Sequence, residues 1–103
     1  MDAPLRKLTL VCPKSVEPTV LDTLDAMLPE LPGYTCNDGL GRGSSMELAS
    51  TAEKVKGAMR IFTGIIVLPE EGIERILDAV KCACPRRQIS FWIEPVLDFG
   101  RLK

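Results

Sequence analysis

A chain of 103 residues, of which 46% are hydrophobic and 26% charged, has the length and composition of a single soluble globular domain. Its net charge of −1 argues against a nucleic-acid-binding protein, because such proteins need an excess of positive charge to neutralise phosphates. The chain contains no histidine, the commonest general base and transition-metal ligand, so we expect a binding protein and not an enzyme.

The first predicted element is a strand over residues 6–13, where apolar residues alternate along the chain. We expect Leu8, Leu10 and Cys12 to share one face of this strand. Pro13 ends it, because proline cannot donate to a sheet ladder.

A helix and a weaker strand come next. Apolar residues recur at helical spacing over residues 16–28, with Ser15 in position to be the N-cap and Pro18 in the first turn. Residues 34–40 predict the second strand, although its Asn, Asp and Gly residues are poor strand formers.

A long excursion over residues 41–57 separates the second strand from the third. Ser44 and Glu47 have the spacing of a capping box, so the excursion can hold a short helix. Connections of this length in compact domains are usually functional or disordered. We therefore expect a mobile loop that takes part in binding.

The second half of the chain predicts a strand, a helix and a last strand. Residues 58–68 are largely apolar on both faces, as in a strand that is covered on both sides. The helix begins near residue 69 with acidic residues that suit its positive end, and Pro85 ends it. Residues 88–94 are again apolar on both faces, and residues 95–103 form a tail.

This order of elements is that of the split βαβ, or ferredoxin-like, fold of the α+β class. We expect one domain over residues 1–103, with a four-stranded antiparallel sheet and two helices on one of its faces. Because the central strands are apolar on both faces, the face without helices needs a cover. A further copy of the same sheet is the simplest cover, so we expect a homo-oligomer with cyclic symmetry.

The sequence also indicates in which cellular compartment the protein resides. Its start lacks the positive cluster and apolar run of a signal peptide, and its longest apolar stretch, residues 64–68, is too short to cross a bilayer. We therefore expect a cytoplasmic protein without direct membrane insertion and without a nucleic-acid partner. Its four cysteines are then expected to be reduced thiols.

Gly39, Gly41 and Arg42, at the start of the excursion, are the first candidate ligand-binding cluster. Alternating glycines let backbone N–H groups approach an anion, and an arginine can bind phosphate or carboxylate through two hydrogen bonds. The alternative interpretation is a strand end that glycine bends.

Cys82 and Cys84 are the candidate metal ligands, since two thiols can hold a soft cation such as Cu(I) or Zn(II). Residues two apart on a helix point to different sides, so this pair can chelate only where the helix has frayed. Cys12 and Cys36 can add ligands from the strands. The alternative is that Cys12 and Cys36 are core residues and that Cys84 extends the apolar stripe of the helix.

Three further arginines, Arg86, Arg87 and Arg101, can bind an anionic ligand. They can equally be solvated cations, which are favoured near the C-terminal end of a helix. Catalysis has little support, because no Ser/His/Asp or Cys/His set exists without histidine.

The chain resembles the PII-like superfamily of trimeric signalling proteins, and within it a bacterial branch commonly encoded beside heavy-metal efflux pumps. The resemblance is carried by residues 8–11, 33–34 and 39–42, and most specifically by the ending at residues 91–102. It implies a homotrimer that binds ligands in clefts between subunits. It also implies that the excursion reports occupancy to a partner, often a membrane transporter.

By position, the resemblance assigns six residues to the ligand cleft: Gly39, Gly41 and Arg42 at the base of the loop, Arg86 and Arg87 before the last strand, and Arg101 in the tail. Family members that bind ATP carry a glycine-rich stretch before the last strand, and residues 84–88 depart from it, which argues against a nucleotide. Related cation-tolerance proteins of the same fold suggest a divalent or soft metal ion instead.

We therefore expect a trimeric regulatory protein that binds a metal ion, an anion or a nucleotide between subunits and acts on a heavy-metal efflux system. The alternative is a soft-metal-binding protein or metallochaperone that uses Cys82 and Cys84.

Overall fold

The computed structural model describes residues 4–27, 33–42, 58–85 and 88–102. Its elements agree in type and order with the prediction. In chain order they are strand β1 (Leu5–Pro13), a 3-10 turn (Lys14–Val16), helix α1 (Glu17–Asp25), strand β2 (Thr35–Gly41), strand β3 (Met59–Pro69), helix α2 (Glu70–Ala83) and strand β4 (Ser90–Pro95).

The four strands form one sheet in the order β2-β3-β1-β4, and every neighbouring pair is antiparallel. Leu8 of β1 is paired with Ile66 of β3 on one side and with Ile93 of β4 on the other. Because directly opposed residues share a face, this register defines a helix face and an open face for the whole sheet. The topology confirms the predicted split βαβ fold.

The hydrophobic core lies between the helix face and the two helices. Leu8, Leu10 and Cys12 are buried there, as the alternation of β1 predicts. The helices bury residues spaced three and four apart, which is one stripe of an amphipathic helix: Val20 and Leu24 from α1, and Ile73, Ile76 and Val80 from α2.

The start of α1 differs from the prediction. Ser15 lies inside the 3-10 turn, and the N-cap of α1 is Val16, which makes no side-chain capping hydrogen bond. A helix that begins at Glu17 places Pro18 within its first two positions, where the missing proline N–H costs no hydrogen bond. The prediction of Ser15 as the N-cap is therefore wrong.

Several predictions concern residues outside the described ranges. They are the excursion from residue 43 to residue 57 with its capping box, and the arginines at positions 86 and 87. The first predicted helix, expected to reach Leu28, ends at Asp25, because the chain turns at Ala26 and Met27. Of the helices that the structure describes, none has both the length and the apolar content needed to span a membrane.

Candidate functional site

Gly39 and Gly41 lie within regular strand β2, where they flank Ile61 of β3 on the open face. A Cβ atom on Gly39 would stand 3.5 Å from Ile61 Cδ1, and one on Gly41 would stand 3.3 Å from Ile61 Cγ2. The glycines therefore leave room for the isoleucine to spread over the edge of the sheet. In the described part of the chain, only Gly33 has a positive φ, so neither strand glycine is required for an unusual backbone conformation.

Arg42 is exposed and follows β2 directly, and Arg101 is exposed in the tail that follows β4. These two strands are the opposite edges of the sheet, with β3 and β1 between them. Neighbouring strands are about 4.8 Å apart, so β2 and β4 are separated by about 14 Å within one chain. The predicted ligand residues Arg42 and Arg101 therefore follow opposite edge strands of the sheet.

The four cysteines are free and fall into two classes. Cys12 and Cys84 are buried, whereas Cys36 and Cys82 are exposed. Burial raises the pKa of the Cys12 thiol to about 12, and the neighbouring thiols of Cys84 and Cys36 act in the same direction. Because metals bind the thiolate form, Cys12 is a poor ligand at neutral pH.

The predicted metal pair, Cys82 and Cys84, consists of one exposed and one buried side chain at the end of α2. Cys84 belongs to the core cluster, which agrees with the interpretation that it extends the apolar stripe of the helix. Within residues 4–27, 33–42, 58–85 and 88–102, no group of three or more Cys, Asp or Glu side chains is arranged to hold a metal ion.

A polar cluster joins the turn after β1 to β2. The ammonium of Lys14 lies 2.8 Å from a Glu17 carboxylate oxygen and 2.5 Å from Asp38 Oδ1. The hydrogen bond to Asp38, followed by the one to Glu17, raises the pKa of Lys14. Nearby, burial first and then the carboxylates of Glu17, Asp25 and Asp38 raise the pKa of Cys36. The cluster stabilises the neutral thiol and fixes the turn. No local sequence pattern indicates the contact between Lys14 and Asp38, because the two residues are 24 positions apart.

The open face of the sheet carries a second feature that the sequence did not reveal. Thr9 is only 3% exposed, and no described residue is a hydrogen-bond partner for its Oγ1. Its cross-strand neighbours are Ile65 of β3 and Trp92 of β4. The indole N–H of Trp92 donates to Glu94 Oε1 at 3.1 Å, and Glu94 lies 3.6 Å from the Lys7 ammonium.

The open face also carries an aliphatic patch, beside polar residues such as Thr63 and Asn37. Its four aliphatic side chains are all partly exposed: Val11 from β1 and Ile61, Ile65 and Val67 from β3. Among the described residues, both helices pack on the other face of the sheet. An apolar face of this kind marks an interaction surface.

A cavity of about 280 Å³ lies on the helix face, between the C-terminal half of α2 and the edge strand β4. Leu10 and Phe91, paired across β1 and β4, form its floor. The other lining residues come from α2 and the segment after it: Leu77, Asp78, Val80, Lys81, Cys84 and Ile89. Hydrophobic periodicity could not reveal this cavity, since it depends on how far α2 stands from β4.

A family model described as a protein of unknown function (DUF3240) matches residues 3–103. No significant match was found among curated proteins. The structure is similar to the crystal structure of a DUF3240 family protein from Shewanella baltica OS155. The TM-score is 0.79 at 20% sequence identity, over 99% of this chain and 100% of that chain.

Two other similar structures, of a PII-like protein and of a PII protein, contain bound ligands. One is CPII from Thiomonas intermedia K12 bound to ADP, AMP and acetate, with a TM-score of 0.71 at 19% identity over 96% of this chain and 91% of that chain. The other is Arabidopsis thaliana PII bound to citrate, with a TM-score of 0.70 at 15% identity over 98% of this chain and 85% of that chain. At these identities the likeness shows a shared fold.

Proposed function

The chain belongs to the DUF3240 family and has the fold of PII-like proteins, and on this basis we propose that it is a homotrimeric regulatory protein that binds a small anionic ligand between subunits. The proposal is one of binding and not of catalysis, since the chain has no histidine to act as a general base. We place the protein in the cytoplasm, where its four free cysteines are stable as thiols.

The open face is the observation that carries the proposal. It combines partly exposed aliphatic side chains with the buried and unpartnered hydroxyl of Thr9. Leaving a buried hydroxyl without a partner costs about 1–3 kcal/mol, so such groups usually have one in the functional state. A second copy packed on this face would cover the aliphatic residues and can supply the missing partner.

The placement of the ligand residues favours a cleft between subunits. Arg42 and Arg101 start from opposite edges of the sheet, so one cleft that uses both draws them from two copies. Arginine side chains bind carboxylates and phosphates. The similar structures named above hold ADP, AMP, acetate and citrate, all of which carry such groups.

We propose further that occupancy of the cleft is reported through the excursion at residues 41–57 to a partner, which we take to be a heavy-metal efflux system. This step is supported by the sequence resemblance and by the position of Arg42, which joins β2 to the excursion. Cys84 is buried in the core whereas Cys82 is exposed, which favours the regulatory proposal over the metallochaperone alternative.

Two measurements on the intact protein test the proposal. Sedimentation equilibrium at micromolar concentration should give three times the mass of one chain. Isothermal titration with citrate, ADP and Zn²⁺ should then show binding of at least one of the two anions and a stoichiometry of one per interface. A monomer that binds neither anion would refute the proposal.

A further inference from the structure

The tail after β4 carries three large apolar side chains that are exposed in the single chain. Leu97 and Leu102 are fully exposed, and Phe99 is 55% exposed. Scattered exposed apolar residues are common, but three within six residues of an extended segment form a contiguous apolar surface. A contiguous apolar surface of this kind marks an interaction site.

The cavity beside α2 is a recess with a mainly apolar lining, into which an exposed apolar side chain can fit. Six of its lining residues are apolar or a thiol, and Phe91 on its floor is 52% exposed. Because a water molecule takes up about 30 Å³, a volume of about 280 Å³ corresponds to roughly nine waters. One phenylalanine or leucine side chain therefore fits with room to spare.

Charges around the two surfaces are complementary. The cavity is bordered by Asp78 and Lys81, one turn apart on α2. The tail carries Asp98 and Arg101 on either side of Phe99, with Leu97 and Leu102 beyond them. When a tail runs antiparallel to α2, Asp98 lies on the Lys81 side of the cavity, where the two opposite charges attract each other.

The tail of the same chain starts at the wrong end of the sheet for this contact. Val96 donates its N–H to the carbonyl of Leu5 at 3.2 Å, whereas Phe91 lies beside Leu10 at the opposite end of the β1–β4 ladder. At about 3.4 Å per residue, the two ends are about 17 Å apart. The tail therefore begins far from the cavity of its own chain, and its apolar residues remain exposed.

We propose that residues 97–102 of one copy dock in the α2–β4 cavity of the next copy, with Phe99 inserted beside Phe91. A tail that reaches forward from each subunit makes a head-to-tail contact, which closes into a ring in a cyclic assembly. This inference rests on the proposed self-association but uses a different surface from the open face.

Site-specific photo-crosslinking in the full-length protein tests the proposal. The variant Phe99→p-benzoylphenylalanine is mixed with ¹⁵N-labelled unmodified protein, irradiated and mapped by mass spectrometry. We expect products that join residue 99 to the 70–85 segment of a different copy. The matched control is Thr19→p-benzoylphenylalanine, which places the same probe at an exposed position of helix α1 and should not join that segment of a different copy.

Charge reversal sharpens the test. Lys81→Glu should lower the crosslink yield from residue 99 by about two- to fivefold, as expected for loss of one exposed ion pair. Adding Asp98→Lys to the crosslinking chain, with Lys81→Glu in the ¹⁵N-labelled copy, should restore the yield. A trimer whose residue 99 crosslinks within its own chain, to the open face, or not at all would overturn the docking proposal alone. A monomer in sedimentation equilibrium would overturn the proposed function as well.

Discussion

Thr9 lies directly opposite Trp92 in the β1–β4 ladder, and the two differ sharply in exposure. Thr9 is 3% exposed and its hydroxyl has no partner among the described residues, while the indole of Trp92 is 48% exposed. A buried polar atom beneath a half-exposed aromatic ring is typical of a surface that is completed by another molecule. The first prediction addresses this surface.

Ile65→Asp should yield a folded monomer. Ile65 is adjacent to Thr9 on the open face and is partly exposed in a single chain, so an aspartate there can be hydrated in the monomer. In the assembled protein the same charge would be buried without a partner, and the dissociation constant of the assembly should rise about 100-fold or more. Sedimentation equilibrium and circular dichroism measure the two effects. Thr19→Asp, at an exposed position of α1 on the other side of the sheet, is the control and should leave the mass unchanged.

Arg42→Ala should weaken binding of citrate or ADP. A hydrogen bond to a charged group contributes about 1.5–3 kcal/mol, so the dissociation constant should rise by about 10- to 150-fold. Isothermal titration measures the change. Arg75→Ala removes an exposed arginine from helix α2, outside the predicted cleft, and serves as the control. Equal affinities for the Arg42 variant and the unmodified protein would place the anion elsewhere.

We expect the folded protein to lose stability at alkaline pH because of the Cys12 thiol. Its thiol has a pKa of about 12 in the folded chain, raised from 9.0 chiefly by burial, so the folded state holds this proton more tightly than the unfolded state. The resulting stabilisation is complete below pH 9 and is lost as the pH rises towards 12. In urea unfolding from pH 8 to pH 11, the free-energy difference between the unmodified protein and Cys12→Ala should shrink.

The hydroxyl of Tyr34 also titrates in this range, because its hydrogen bond to Asp25, with a smaller effect of burial, raises its pKa to about 12. Its contribution is present in both proteins and cancels in their difference. A difference that stays constant up to pH 11 would mean that Cys12 is not buried as the structure shows.

Cys82→Ser should leave ligand binding and assembly unchanged, because this thiol is exposed at the end of α2. Cys84→Ser places a hydroxyl at a buried position and should cost about 1–3 kcal/mol of stability. Thiol labelling with and without Zn²⁺ distinguishes the two functions. In the regulatory protein Zn²⁺ leaves Cys82 reactive, whereas a metallochaperone would show both thiols protected and would lose its metal in either variant.

The fold could be predicted because hydrophobic residues recur at a clear period within the elements. Alternation placed Leu8, Leu10 and Cys12 on the core face of β1, and three- and four-residue spacing placed Ile73 and Ile76 in the buried stripe of α2. These patterns are local, and burial followed them. The N-cap at Ser15 was wrong because a cap depends on where the preceding turn ends, and the 3-10 turn shifts that point by one residue.

The candidate site was less accessible to prediction. The apolar residues at 91–93 predict a strand with two apolar faces, but periodicity does not distinguish a central strand from an edge strand, and every residue of β4 is exposed in the single chain. The contact between Lys14 and Asp38 joins residues 24 positions apart, so no local pattern records it. The same holds for the cavity, which exists only once α2 has packed beside β4.

The position of β2 and β4 at the two margins of the sheet has a consequence for the protein's sensitivity to its ligand. In the proposed assembly, each polypeptide carries two incomplete halves of a binding site, and a whole site forms only on association. Apparent ligand affinity should therefore fall on dilution, and the abundance of the protein becomes a control parameter alongside the ligand level.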